Sequence, residues 1–240
     1  MLIDLTHPFF NGMLYNWYIP EMPKPYIRTI REAEPGEDRL GFQEVLFATH
    51  MGTHIDAQMH WDHRGRSIDE YPLERFLGPA ICLDVSDVGR LGKITSSVLE
   101  EKDLGVCSGD MLLLHTGYGQ YFISDYHKYY EQPYLTSDAA QWIIDKGVGL
   151  VGIDGHTVDK PFALRSMAFV PGVDRNNHHM SPDGPHSRSI HDILLSKDVL
   201  IIEHMANLDK VAGKKFELIV APMKIRRGDG APARCIAVVE

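Results

Sequence analysis

Four groups able to bind a metal or carry a proton fall within the run His50-Met-Gly-Thr-His54-Ile-Asp56-Ala-Gln-Met-His60. His54 and Asp56 are two residues apart, so on an extended segment their side chains project from the same face. Gly52 lets the chain fold back tightly and brings the His50 imidazole toward that face. Imidazole nitrogen together with carboxylate oxygen suits Zn, Mn or Fe. Two imidazoles and one carboxylate leave coordination positions open for water, as a catalytic site requires. His60 then stands beside the cluster as a candidate acid/base. A histidine-rich turn with no chemistry is the competing reading; the His-X-Asp spacing and the glycine argue against it.

A second group lies downstream. His191 sits in Ser-Ile-His191-Asp, and Glu203 closes the apolar run Val-Leu-Ile-Ile-Glu203. A carboxylate at such a position needs a partner when buried. From the residues alone that partner is either a metal or an Arg or Lys, and His191 is either a ligand or an ordinary helix-face residue. His204 follows Glu203, so on a strand it faces the opposite side. Asp154 and His156, just after a strand, could support the site or a substrate loop. His115 is a core histidine or a pocket wall, and His7 lies in the opening turn. His63, beside Asp62 and Arg64, reads as part of a solvated turn. His178 and His179 sit in a polar loop over 171–185, which His186 follows.

These groups need elements to position them. Short apolar or β-branched runs bounded by Gly, Pro or Asp predict strands over 2–5, 42–48, 80–85, 111–115, 150–153, 199–203, 218–221 and 235–239. Cap and stop signals predict helices over 95–102, 136–146 and 187–196. Strands mixed with a few helices point to an α/β or α+β domain with a substantial sheet. Nothing resembles a linker, so residues 1–240 are expected to form one domain.

Composition narrows the function. The formal charge of −9 argues against a nucleic-acid or anionic-membrane partner. No apolar run approaches the ~20 residues that span a bilayer. The opening Met-Leu-Ile-Asp-Leu-Thr lacks the basic and apolar regions of a secretion signal. Cys82 and Cys235 lie in apolar runs and read as buried free thiols, which favours a cytoplasmic location. No Gly-X-Ser-X-Gly elbow is present, and Cys107 lacks a local base. Gly117-Tyr-Gly119 is too short a fragment to indicate nucleotide binding.

The run His50-X-Gly-Thr-His54-X-Asp56-Ala-X-X-His60 resembles the signature of the cyclase-like metal-dependent hydrolase family, which includes bacterial kynurenine formamidase and isatin hydrolase. Ile3-Asp-Leu-Thr-His-Pro8 and Leu112-Leu-Leu-His-Thr-Gly-Tyr118 are similar to that family's first strand and central strand. The separation of His191 from Glu203 matches its downstream ligands. The resemblance implies an α/β single domain with a mixed, barrel-like β-sheet core flanked by a few helices, of the swivelling β/β/α type. It implies one or two divalent ions, Zn first and Mn second, held by His50, His54, Asp56, His191 and Glu203. In the two-metal version Asp56 and Glu203 bridge, and His60 is the acid/base. The reaction implied is cleavage of an amide, formamide or lactam C–N bond in a small-molecule substrate by metal-activated hydroxide. A metal-dependent cyclase or dehydratase, or a non-catalytic metal-binding homologue, are the alternatives. By the same resemblance a homo-oligomer, dimer or tetramer, is expected.

Two departures bear on specificity. Relatives read Asp-Ala-Pro where this chain has Asp56-Ala57-Gln58, which adds an amide able to bond substrate or backbone. Tyr15-Asn-Trp17-Tyr-Ile-Pro20 replaces a Tyr-Pro-Gly-Asp stretch. Phe9, Phe10, Tyr15, Trp17 and Tyr18 form either an apolar wall for a flat substrate, with Trp17 and Gln58 as substrate-binding candidates, or a core or subunit contact.

Overall fold

Apolar runs that are buried on both faces become the central strands here, and polar-flanked runs become the outer ones. The structure, a computed structural model, describes residues 1–15, 21–36, 39–161 and 189–239. Its strands are β1 (Leu2–Asp4), β2 (Tyr26–Arg31), β3 (Phe42–Leu46), β4 (His54–Asp56), β5 (Leu77–Asp84), β6 (Lys93–Ile94), β7 (Met111–His115), β8 (Tyr134–Leu135), β9 (Leu150–Ile153), β10 (Leu200–Glu203), β11 (Lys214–Pro222) and β12 (Gly230–Val238). Among the described residues four α-helices accompany them, α1 (Ser96–Glu101), α2 (Tyr126–Tyr129), α3 (Ser137–Asp145) and α4 (Ile190–Leu195).

Strands β12, β11, β5, β7, β9, β10 and β4 lie side by side in that order, and β4 pairs back onto β12 to close a barrel. Pairing is parallel through β5, β7, β9 and β10 and antiparallel at the other junctions. The edge of β12 is shared: its first residues pair with β4 and its last with β1. A mixed, barrel-like sheet with a few helices is the architecture expected above. Closure removes the free sheet edges that an open sheet would leave.

Strand alternation separates two cores. Leu113 of β7, Leu200 and Ile202 of β10, and Ile55 of β4 point into the barrel with Cys82, Leu218 and Cys235. Leu112, Leu114, Val151 and Ile201 point outward against Leu99, Ala140, Ile143 and Leu194 of the helices. Gly152 faces the lumen, where a Cβ would lie 2.5 Å from Leu113 Cδ2 and 2.6 Å from Met205 Sδ. Both neighbours are fully buried, so overpacking there is expected to cost about 1–3 kcal/mol. Gly152→Ala should therefore lower the urea midpoint of unfolding; an unchanged midpoint would contradict this packing.

Several expected boundaries move. The run 235–239 grows to β12 from Gly230, and 218–221 grows to β11 from Lys214. Both are antiparallel strands whose alternate residues face solvent, so Lys214, Lys215 and Glu217 hide their extent. The ribbon β2–β3 was legible only in its second strand, because Arg28, Thr29 and Arg31 dilute the first. The helix expected over 187–196 begins at Ile190, after the N-cap Ser189, whose side chain accepts the Asp192 N–H.

Candidate metal centre

Strand β4 is three residues long and buried throughout. It is a strand because β10 and β12 hold its two edges, with His54 opposite Glu203 and Asp56 opposite Gly230. Ile55 faces the lumen, so His54 and Asp56 face outward, on the side where Ile201 meets the helices. Glu203 has the parity of Ile201 and joins them there. The centre therefore lies on the helix-bearing wall of the barrel, outside its lumen. Gly52, at φ +64°, makes the turn that returns His50 to this wall. His50 Nδ1 ends 2.7 Å from Asp56 Oδ1.

The remaining groups arrive from three other segments. His191, on the first turn of α4, sets its Nε2 3.4 Å from Asp56 Oδ2 and 3.2 Å from Glu203 Oε1. His54 Nε2 lies 3.3 Å from Asp56 Oδ1 and 3.7 Å from Glu203 Oε2. The far nitrogens of both rings are committed. His54 Nδ1 donates to the Gly52 carbonyl at 2.8 Å, and His191 Nδ1 donates to Asp159 at 2.6 Å. Such bonds fix tautomer and ring orientation and leave the inner Nε2 lone pairs for a cation. Glu203 Oε1 accepts the Val158 N–H at 3.0 Å. One buried loop thus orients both downstream groups, and Asp154 ties its start to Thr116 and Gly117. His60, in a single 3₁₀ turn after Ala57, places its ring centroid 3.9 Å from that of His50.

The set fits a divalent cation. Among the described residues Asp56 Oδ2 is buried without a hydrogen-bond partner, with His191 Nε2 facing it at 3.4 Å, a costly state for a carboxylate oxygen unless something else coordinates it. Two groups, His50–Asp56–His60 and His54–Asp56–Glu203, each bring their ligand atoms within 4.8 Å of one another, and they share Asp56. Electrostatics agrees. Burial opposes charge on His50, but the carboxylates of Asp56 and Asp229 outweigh it and push its pKa up to about 10. Burial likewise opposes charge on Asp56, yet the His50 and His54 rings hold its pKa well below the usual range. Glu203 is lowered against burial by His191, and His191 is raised against burial by Glu203 and Asp159. Imidazolium protons here occupy the role that a cation would take, so metal uptake exchanges with protons. His60 is the exception: burial first, then the charge on His50, lower it to about 4, so it is neutral at pH 7.

Other sequence candidates fall elsewhere. Gln58 Oε1 accepts the Arg66 N–H at 3.1 Å, so of its two foreseen uses the backbone takes its carbonyl. Trp17, the 171–185 loop, His178, His179 and His186 lie outside the described residues. His204 sits past the end of β10 with φ +56°, and its Nδ1 meets the Tyr129 hydroxyl at 2.8 Å. His63 is exposed, as a solvated turn implies. His7 and His115 line a cavity of about 720 Å³ with Ser86, Gln120 and Asp154, and none of the six candidate centre residues forms its wall. Two residues escaped the sequence reading. Asp159 has no local signal, being far in sequence from His191. Asp229 has one, its bracket of Gly228 and Gly230 just before a strand. Its Oδ2 lies 2.9 Å from His50 Nε2 and 3.6 Å from His60 Nδ1.

Comparison with known proteins agrees with this architecture. Residues 3–160 match the model of the family described as "Putative cyclase". The chain is 29% identical to the kynurenine formamidase of Bacillus thuringiensis (strain Al Hakam) over 239 residues, covering 98% of this chain and 95% of that protein. A structure described as a "predicted metal-dependent hydrolase" from Bacillus stearothermophilus superposes with a TM-score of 0.72 at 25% identity, covering 99% of this chain and 97% of that one. Isatin hydrolase A from Ralstonia solanacearum shares the fold, with a TM-score of 0.80 at 20% identity over 100% of this chain and 92% of that one.

Proposed function

The chain belongs to this cyclase family, and on that premise we propose that it is a metal-dependent amidohydrolase opening an amide, formamide or lactam C–N bond. Residues 1–240 act as one catalytic domain. His50, His54, Asp56, His191 and Glu203 hold one or two cations, and His60 carries the proton. The observation that carries this reading is the convergence of His50, His54, His60, His191 and Glu203 on Asp56, whose buried Oδ2 has no hydrogen-bond partner among the described residues. The names of the relatives, a kynurenine formamidase and a metal-dependent hydrolase, support the same reaction class.

The donor set of imidazole and carboxylate favours Zn, then Mn. When bound, such a cation polarises a carbonyl and lowers the pKa of water. The chain's own residues do the rest. Gly52 and Asp159 aim the His54 and His191 rings, and Val158 aims Glu203. As water adds to the carbonyl carbon, neutral His60 takes its proton and returns it to the nitrogen when the C–N bond breaks. Barrel closure and the packed helices keep the wall rigid behind these groups.

The ribbon β2–β3 supports assembly into a homo-oligomer. Tyr26, Phe42, Val45 and Leu46 are each exposed by more than two fifths, and a two-stranded ribbon is marginal alone. The unpaired Cys82, Cys107 and Cys235 fit a cytoplasmic location, and among the described residues no helix is long and apolar enough to cross a membrane. The reaction class is tested on protein of measured metal content with N-formylkynurenine, isatin and related lactams. Hydrolysis of at least one, abolished by a chelator and restored by Zn or Mn, is the expected result. Fully metallated protein that hydrolyses none of them overturns the C–N hydrolase reading.

A further inference from the structure

The Gly228-Asp229-Gly230 bracket sits against the centre with a fixed backbone. The Ala57 N–H donates to the Asp229 carbonyl at 2.9 Å, and the Ile68 N–H donates to the Gly228 carbonyl at 2.9 Å. At Gly230 a Cβ would lie 2.6 Å from Ile55 O and 2.8 Å from His50 Cε1. Glycine is therefore required for β12 to begin this close to His50. Asp229 is thereby held beside the signature, although it lies far from it in sequence. Its side chain is 41% exposed, so water helps to keep it ionised.

We propose that Asp229 is a positioning residue for His60, fixing that ring with its proton on Nδ1 and leaving Nε2 to carry the reacting proton. The inference rests on the reading of His60 as the proton carrier of a hydrolase. Three distances carry it. Asp229 Oδ2 is 2.9 Å from His50 Nε2 and 3.6 Å from His60 Nδ1, and the centroids of the two rings lie 3.9 Å apart with the planes tilted by 35°. One carboxylate oxygen thus faces a nitrogen of each ring. With His50 Nδ1 at 2.7 Å from Asp56, the series Asp56–His50–Asp229–His60 links a ligand carboxylate to the proton carrier. A carboxylate facing an imidazole nitrogen keeps the proton there, and the other nitrogen becomes the base. Serving His50 and His60 together, Asp229 sets the base in register with the ligands.

The test uses the intact Zn-loaded protein as wild type, His60→Ala, Asp229→Ala, Asp229→Glu and the Asp229→Ala/His60→Ala double variant. Metal content, kcat and KM are measured, and ¹⁵N-edited histidine spectra report the His60 tautomer independently of turnover. Asp229→Ala is expected to keep its metal at saturating Zn and nearly its KM while kcat falls about 10- to 100-fold. Asp229→Glu, which retains the carboxylate, should recover part of that loss. The double variant should be no slower than His60→Ala within about threefold, because both changes remove one function. The spectra should show His60 protonated on Nδ1 in the wild type and as mixed tautomers in Asp229→Ala. An unchanged tautomer, or losses that multiply in the double variant, overturns the inference. If wild type and His60→Ala turn over equally, the parent reading of His60 has failed instead, and the tautomer still decides the role of Asp229.

Discussion

Replacing Asp56 by asparagine is expected to empty the centre of metal and lower turnover by more than about 10²-fold, the upper range for losing an outer partner of a metal ligand. The carboxamide keeps the size of the carboxylate and loses its charge. Asp56 stands between both halves of the cluster, with Oδ1 at 3.3 Å from His54 Nε2 and Oδ2 at 3.4 Å from His191 Nε2. It is also the member shared by both groups of converging ligand atoms. Glu203 also faces both His54 and His191, but it enters one of those groups alone, so a change at Asp56 touches both where a change at Glu203 touches one. Removing this charge also takes away the main partner that stabilises charge on His50. The His50 ring of the variant is then easier to deprotonate, yet the cluster lacks the anion that concentrates a cation in it. Metal content by elemental analysis, read beside kcat, checks this. A fully metallated and active Asp56→Asn would show that Asp56 is not a ligand.

The parts of this centre that were legible in the sequence are those set by local geometry. His54 and Asp56 share a face because a strand alternates, and Gly52 turns His50 inward because only a left-handed residue makes that return. Both are facts about three or four consecutive residues. His191 and Glu203 were ambiguous from spacing and became specific only through the family resemblance. What joins them to Asp56 is the antiparallel register of β10 against β4 and the packing of α4, neither of which has a local signature. Asp229 was invisible for the same reason. It reaches His50 through the pairing of β12 with β4, across most of the chain.

The fold divides along the same line. Expected strands 111–115 and 150–153 match β7 and β9 in full, because strands buried on both faces read as unbroken apolar runs. Strands β11 and β12 are longer than expected, since half of their residues are polar or small and face outward. Barrel closure depends on β4, which has only three residues and no propensity worth noting. It is a strand because two neighbours supply its hydrogen bonds. The element that completes the fold is thus also the element that carries His54 and Asp56, so the register that closes the barrel also sets these two residues beside Glu203.

Replacing His60 by alanine is expected to slow turnover by roughly 10²-fold or more while leaving the metal in place. The second half of that statement distinguishes a proton carrier from a ligand, since His60 also falls within reach of the His50–Asp56 group. Three features favour the proton carrier. Its ring lies tilted against the His50 ring, while Nε2 of His54 and Nε2 of His191 point at carboxylate oxygens. Its Nδ1 faces Asp229, on the half-exposed rim, whereas the Asp56 and Glu203 oxygens are buried. Burial and the neighbouring positive charge lower its pKa to about 4, and a cation in the centre acts in the same direction as that charge. His60 is therefore neutral at pH 7, the state a general base requires, and the proton it collects is weakly held and readily passed to a leaving nitrogen. A ligand lost by truncation would instead appear as missing metal, with activity recovered as the metal concentration is raised. Full metal occupancy with depressed kcat and a KM near that of the wild type is the outcome that assigns His60 to the chemistry. Normal turnover in fully metallated His60→Ala would remove it from the mechanism altogether.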